Sequence, residues 1–208
     1  MRSGIFVLGL LCAVASPGAV FDFSTQSITS GLSTFTTSSG GVNLTISRES
    51  GALFDLVNLG GAGPSGWGNR VLSPFSDQGP NTGFIFNFSA PVSMFTLQLG
   101  DAGGDSDTWS IKAFSGLNGT GTLITSQTGT WGLKDFAFDA PQTVTISGGG
   151  ILSVVFEGGS VSAPDSLFVS QIGASLAPAP EPASFGLMVL GLGAVGVAVR
   201  RRSAAGKA

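Results

Sequence analysis

Histidine and tyrosine are absent from this chain of 208 residues, cysteine occurs once, and charged residues make up only 10%. Without histidine there is no His-dependent catalytic triad. The single Cys12 falls inside an N-terminal apolar run, so a cysteine nucleophile and the usual Cys/His zinc sites are excluded as well. Loss of that run would leave a chain with no disulfide, stable through packing alone. No Gly-Lys-Ser/Thr phosphate loop occurs. Two carboxylates can hydrolyse a glycoside without histidine, yet no acid here stands out as paired and apolar-flanked. The expectation is a protein that is not an enzyme, with a secreted glycan hydrolase as the remote alternative.

The few charges are unevenly placed. Arg2, Arg200, Arg201, Arg202 and Lys207 lie at the two ends, and between residues 20 and 177 four bases face eleven acids, a net charge of −7. An acidic core without a basic patch excludes nucleic acid as a partner, because phosphate neutralisation supplies most of that affinity. A cation or a neutral polymer suits it better.

The N-terminus reads Met1-Arg2-Ser3, then an almost wholly apolar stretch over residues 5–15, then Ser16-Pro17-Gly18-Ala19. This order describes a secretory signal peptide over residues 1–19, removed by signal peptidase after Ala15 or Ala19. At the other end, Ala177-Pro178-Ala179-Pro180-Glu181-Pro182 is a linker unable to enter a helix interior or a sheet ladder. Residues 183–199 carry no charge. As a transmembrane helix they would reach about 25 Å, near the lower limit for a span. Arg200, Arg201 and Arg202 follow, which would hold the cytoplasmic side and leave the core outside.

Pro180-Glu181-Pro182, a short Gly-rich apolar span and an Arg cluster, in that order, resemble the PEP-CTERM sorting domain of Gram-negative bacteria. The resemblance covers residues 177–208 and implies that an exosortase, an integral-membrane cysteine protease-transpeptidase, recognises Pro180, Glu181 and Pro182 and removes the span. It also implies a link to exopolysaccharide and biofilm. The protein would be an exported, membrane-anchored precursor in the cell envelope, later at the cell surface or in the extracellular matrix.

Between the two ends, over residues 20–176, apolar alternation recurs. Val42, Leu44 and Ile46 share one face, as do Phe84, Phe86 and Phe88. Val92 and Met94, then Leu97 and Leu99, alternate with one break at Phe95, where a bulge is expected. Trp109 with Ile111, Val144 with Ile146, and residues 151–156 give further strands. No 3.6-residue period appears. Short strands with Gly-rich turns read as an all-β domain, a β-sandwich of jelly-roll type. The segment 88–119 faintly resembles carbohydrate-binding-like sandwich domains of exported bacterial proteins.

One loop is a candidate metal site. Asp101, Asp105 and Asp107 place three carboxylates in seven residues among glycines, a set that suits a hard cation such as calcium. The competing reading is a solvated turn that uses Asp for its turn propensity. Trp67, Trp109 and Trp131 are candidate sugar platforms if exposed, although buried core is the commoner place for Trp. Asn43-Leu-Thr45, Asn87-Phe-Ser89 and Asn118-Gly-Thr120 match the N-glycosylation triplet, with ladder positions as the alternative for the two inside strands. Thr143-Val-Thr145 does not recur at a fixed period, which argues against a repeated ice-binding face. The expected role is a non-enzymatic envelope or matrix protein in contact with extracellular polysaccharide. The alternative is a carbohydrate- or calcium-binding module.

Overall fold

A computed structural model describes residues 18–58, 70–74, 83–100, 106–133, 140–159 and 167–177. The chain separates into two units, residues 1–177 and 178–208, and every described residue belongs to the first. Residues 183–199, where a membrane helix is expected, lie outside the described residues, as do residues 1–17 of the expected signal peptide. Among the described residues no helix is long and apolar enough to cross a membrane.

The described residues are nearly all β, as the alternation predicts. The strands are β1 (Ala19–Asp22), β2 (Thr29–Leu32), β3 (Thr34–Ser39), β4 (Val42–Arg48), β5 (Phe54–Asn58), β6 (Arg70–Ser73), β7 (Phe84–Gly100), β8 (Ser106–Phe114), β9 (Leu123–Leu133), β10 (Gln142–Gly159) and β11 (Phe168–Leu176). All pairings are antiparallel within one sheet. Its two long strands, β7 and β10, pair with each other along most of their lengths and serve two sets of neighbours. The first half of β7 pairs with β4, and the second half pairs with β11. The second half of β10 pairs with β8, which carries β9 on its far side.

The change of neighbours coincides with a bend in both strands. In β10 the register shifts across Ser147-Gly148-Gly149-Gly150-Ile151, and Gly150 holds φ +82°, a region that costs L residues with a side chain. In β7 the same place is Ser89-Ala90-Pro91. Pro91 has no N–H to give to a ladder, and bends of this kind are where strands tolerate proline. Its carbonyl accepts from Ala177 N at 3.1 Å, just past the end of β11.

Side-chain parity confirms most of the sequence reading and corrects one part of it. Phe84, Phe86, Phe88 and Val92 are buried, and beyond the bend Phe95, Leu97 and Leu99 are buried. The break therefore does not fall at Phe95. Val92 pairs with Leu176 and Met94 with Ser175, so Ser93 is the extra residue of the bulge. Ser93 Oγ lies 3.2 Å from Leu176 O, a bond that satisfies the hydroxyl there. Phe95 is thereby turned inward and Met94 outward, where it is 38% exposed.

One hydrophobic core fills the space between the two arms of the bent sheet. Phe95 lies 5.6 Å from Phe86 and 6.0 Å from Phe88, ring centre to ring centre, although all three belong to β7. The arrangement is sandwich-like, with corners made by strands that continue from one layer into the other. The open side near β4 is closed by Arg48, which is buried over the Phe84 ring and donates from Nη1 to Leu53 O (3.2 Å) and Pro74 O (3.1 Å).

Candidate functional site

The outward face of β10, β7, β11 and β1 carries a candidate site. The register brings side chains from four distant stretches of sequence into rows. Thr143, Gln98, Gln171 and Asp22 form one row; Thr145, Thr96, Gly173 and Val20 form the next; Ser147, Met94 and Ser175 form the third. Thr96 and Thr145 hydroxyls lie 3.1 Å apart. Ser170, the extra residue of a bulge in β11, donates to Gln98 Oε1 at 3.3 Å and orients that amide.

Gly173 interrupts the middle row. The missing side chain leaves a depression of about 240 Å³ floored by Gly173 and bordered by Val20, Met94, Thr96, Gln98, Gln171 and Ser175. None of these groups is charged. The nearest acid in the rows, Asp22, already accepts from Ser24 N (2.8 Å) and Ser24 Oγ (2.9 Å). Such a surface can donate and accept hydrogen bonds at the same positions, through two primary amides and hydroxyls, and it has two exposed apolar side chains beside them.

The loop proposed for calcium is only partly in view. Asp101 and Asp105 lie outside the described residues. Asp107 opens the inward face of β8 and is fully buried, so the solvated-turn reading does not hold for it. Among the described residues no group of three His, Cys, Asp or Glu side chains is placed to hold a metal. Pro180, Glu181, Pro182, Arg200, Arg201 and Arg202 also lie outside the described residues.

Trp109 and Trp131 are not platforms. They are 4% and 2% exposed, and the Trp109 indole lies against Gly129, where a Cβ would meet the ring, while its Nε1 donates to Gln142 Oε1 at 3.3 Å. Trp67 lies outside the described residues. Inward parity on β8 and β9 decided this outcome: Trp109 alternates with Asp107 and Ile111 on the core side.

Two of the three Asn-x-Ser/Thr triplets close on each other. Asn118 sits in the 115–122 turn at φ +55°. Its backbone N donates to Asn87 Oδ1 at 2.7 Å, and Asn87 Nδ2 donates to Asn118 Oδ1 at 2.9 Å. Gly119 N donates to Ser153 Oγ, which in turn donates to Gly116 O. The pair is a clasp that lays the turn on the outer face of β7 and β10. Sequence alone could not show it, because the two asparagines are 31 residues apart.

Residues 178–202 match the family model of the PEP-CTERM protein-sorting motif. No curated protein matches the chain. Among solved structures, an isomalto-dextranase of Arthrobacter globiformis T6, complexed with panose, is similar at 12% identity and a TM-score of 0.36, over 76% of this chain and 32% of that one. The chain thus spans about a third of that enzyme, and a likeness this distant carries no functional argument.

Proposed function

From the sorting motif at residues 178–202, which marks an exported, membrane-sorted substrate of exosortase, we propose that this protein is a non-enzymatic component of the cell envelope or extracellular matrix. The leader, which lies within residues 1–19, is removed by signal peptidase after Ala15 on export. The span 183–199 anchors the precursor with Arg200, Arg201 and Arg202 on the cytoplasmic side. Exosortase then acts at Pro180-Glu181-Pro182, and the β domain is delivered to the surface or matrix, among exopolysaccharide and in biofilm. The domain itself we assign to sandwiches of jelly-roll type, because β7 and β10 run through both layers around one core. No cofactor is required for this role.

The matched motif is the observation that carries the reading. Proline disfavours helix interiors and sheet ladders, so a proline-rich motif is chemically suited to recognition in a protease cleft. A plain spacer would tolerate any small residue at Glu181; a recognition element would not. Wild type, Glu181→Ala, and a variant with Arg200, Arg201 and Arg202 replaced by Ser are expressed in a host that has an exosortase. The expected result is loss of the tail from wild type and retention of full-length, membrane-bound Glu181→Ala. Identical maturation of wild type and Glu181→Ala, or no cleavage of either, would reduce the tail to an anchor.

A further inference from the structure

We propose that the depression over Gly173 is a binding subsite for one residue of a neutral polysaccharide. The proposal rests on the reading that the domain works outside the cell, but its argument is the chemistry of the face. A sugar ring offers hydroxyls that both donate and accept, and a C–H face that is apolar. The depression offers the same combination: Thr96, Gln98, Gln171 and Ser175 supply groups that donate and accept, and Val20 and Met94, 53% and 38% exposed, supply apolar contact at its margin. The residues lining it include no Lys, Arg, Asp or Glu, so a uronate or a sulfated sugar would lose its hydration with no counter-charge in return.

Size and shape point the same way. A volume of about 240 Å³ falls below the roughly 300–1,000 Å³ of pockets for drug-sized ligands, so it suits one ring and not an oligomer. The rows of the sheet continue past it through Thr143, Thr145 and Ser147, all exposed. A polymer can therefore cross the face with one residue seated and its neighbours on the hydroxyl rows. Binding at a single shallow subsite is weak, and the repeated residues of one polymer offset this only by offering many equivalent places to bind.

Gly173 provides the test. Its φ is not in the left-handed region, and a Cβ there would lie 3.4 Å from Thr96 Cβ, an ordinary contact. Gly173→Val therefore fills the depression without straining the backbone, and β-branched residues favour strands. The full chain is purified in a sugar-free zwitterionic detergent and run by affinity electrophoresis through gels containing dextran, a neutral galactomannan, or polygalacturonate. Wild type is expected to be retarded by at least one neutral polymer and not by polygalacturonate. Gly173→Val and Gln171→Ala should each weaken that retardation about tenfold or more. Thr128→Ala, on the edge strand β9, should leave it unchanged. Thermal melts check the fold, and Gln171→Ala keeps the test decisive if Gly173→Val proves unstable. The proposal is overturned by no retardation in either neutral gel, by equal or stronger retardation in polygalacturonate, by unchanged binding of both variants, or by retardation that tracks self-association of the chain. Sorting is scored by tail removal and binding by mobility, so either reading can fail without the other.

Discussion

Phe86 and Phe95 test whether β7 bends as described. They are nine positions apart on one strand, and in a straight strand at about 3.3 Å per residue their Cα atoms would be about 30 Å apart. Their rings are 5.6 Å apart, tilted by 34°, and both side chains are fully buried. Only a strand that turns across the core can bring them together. Phe→Ala at either site would cost about 3–5 kcal/mol, and both together would approach the whole stability of an ordinary domain. Phe86→Leu and Phe95→Leu keep most of the volume and should cost about 1–2 kcal/mol each. A double-mutant cycle isolates the contact. Direct aromatic pairs contribute about 0.5–1.5 kcal/mol beyond area burial, whereas residues with no shared partner add within about 0.3–0.5 kcal/mol. Urea unfolding can be followed by the fluorescence of Trp109 and Trp131, both of which leave the core on unfolding. A coupling of about 1 kcal/mol is expected for Phe86 with Phe95, and none for Phe95→Leu combined with Leu117→Ala, a residue 49% exposed in the 115–122 turn. Additive costs for the two phenylalanines would refute the bend.

Three further outcomes are expected. Asn87→Ala removes both side-chain bonds of the clasp with Asn118 and should destabilise the chain by about 1–2 kcal/mol in urea melts, while Asn118→Gly, which retains the positive φ and the backbone bond, should cost less. Edman sequencing of the exported protein should begin at Ser16 and not at Val20, because Ala19 is 3% exposed and pairs with Ala174 in the β1–β11 ladder, so cleavage after it would cut inside a strand. Calcium should leave the thermal melt within error, and Asp105→Ala should do the same; tight binding in a calorimeter that is lost on Asp105→Ala would instead make Asp101, Asp105 and Asp107 a metal site.

The strands were legible in the sequence where burial on one face imposed a period of two. Val42, Leu44 and Ile46 face the core as their spacing predicts, and so do Phe84, Phe86 and Phe88. The bulge was legible as an irregularity but not in its position. Met94 and Phe95 are both apolar, so hydropathy alone could not say which of them turned inward; pairing with β11 decided it, by making Ser93 the odd residue. Val144 with Ile146 and residues 151–156 read as separate strands, with the triple glycine at 148–150 between them. The glycines lie within one strand, β10, since the strand has to bend there and not end. Gly148 also has Ile124 so close that a Cβ would strike its Cγ2, a contact made by a strand 24 residues earlier.

The two candidate sites differ in legibility for a physical reason. A protease reads an extended segment in chain order, so whatever specifies Pro180-Glu181-Pro182 must be written contiguously, and a reader of sequence meets it in the same form. The face around Gly173 is written across the chain instead. Val20, Thr96, Thr145 and Gly173 become neighbours only through three registers, β1 on β11, β11 on β7 and β7 on β10, and a slip of one residue in any of them would turn one member of the row into the core. Gly173 taken alone is one of 33 glycines. Its meaning comes from what the register puts on either side of it, a hydroxyl from β7 and an exposed valine from β1. The same argument explains why Trp109 is buried, the commoner place for the residue: parity on β8 assigns it to the core, and the outward positions on either side of it fall to Thr108 and Ser110.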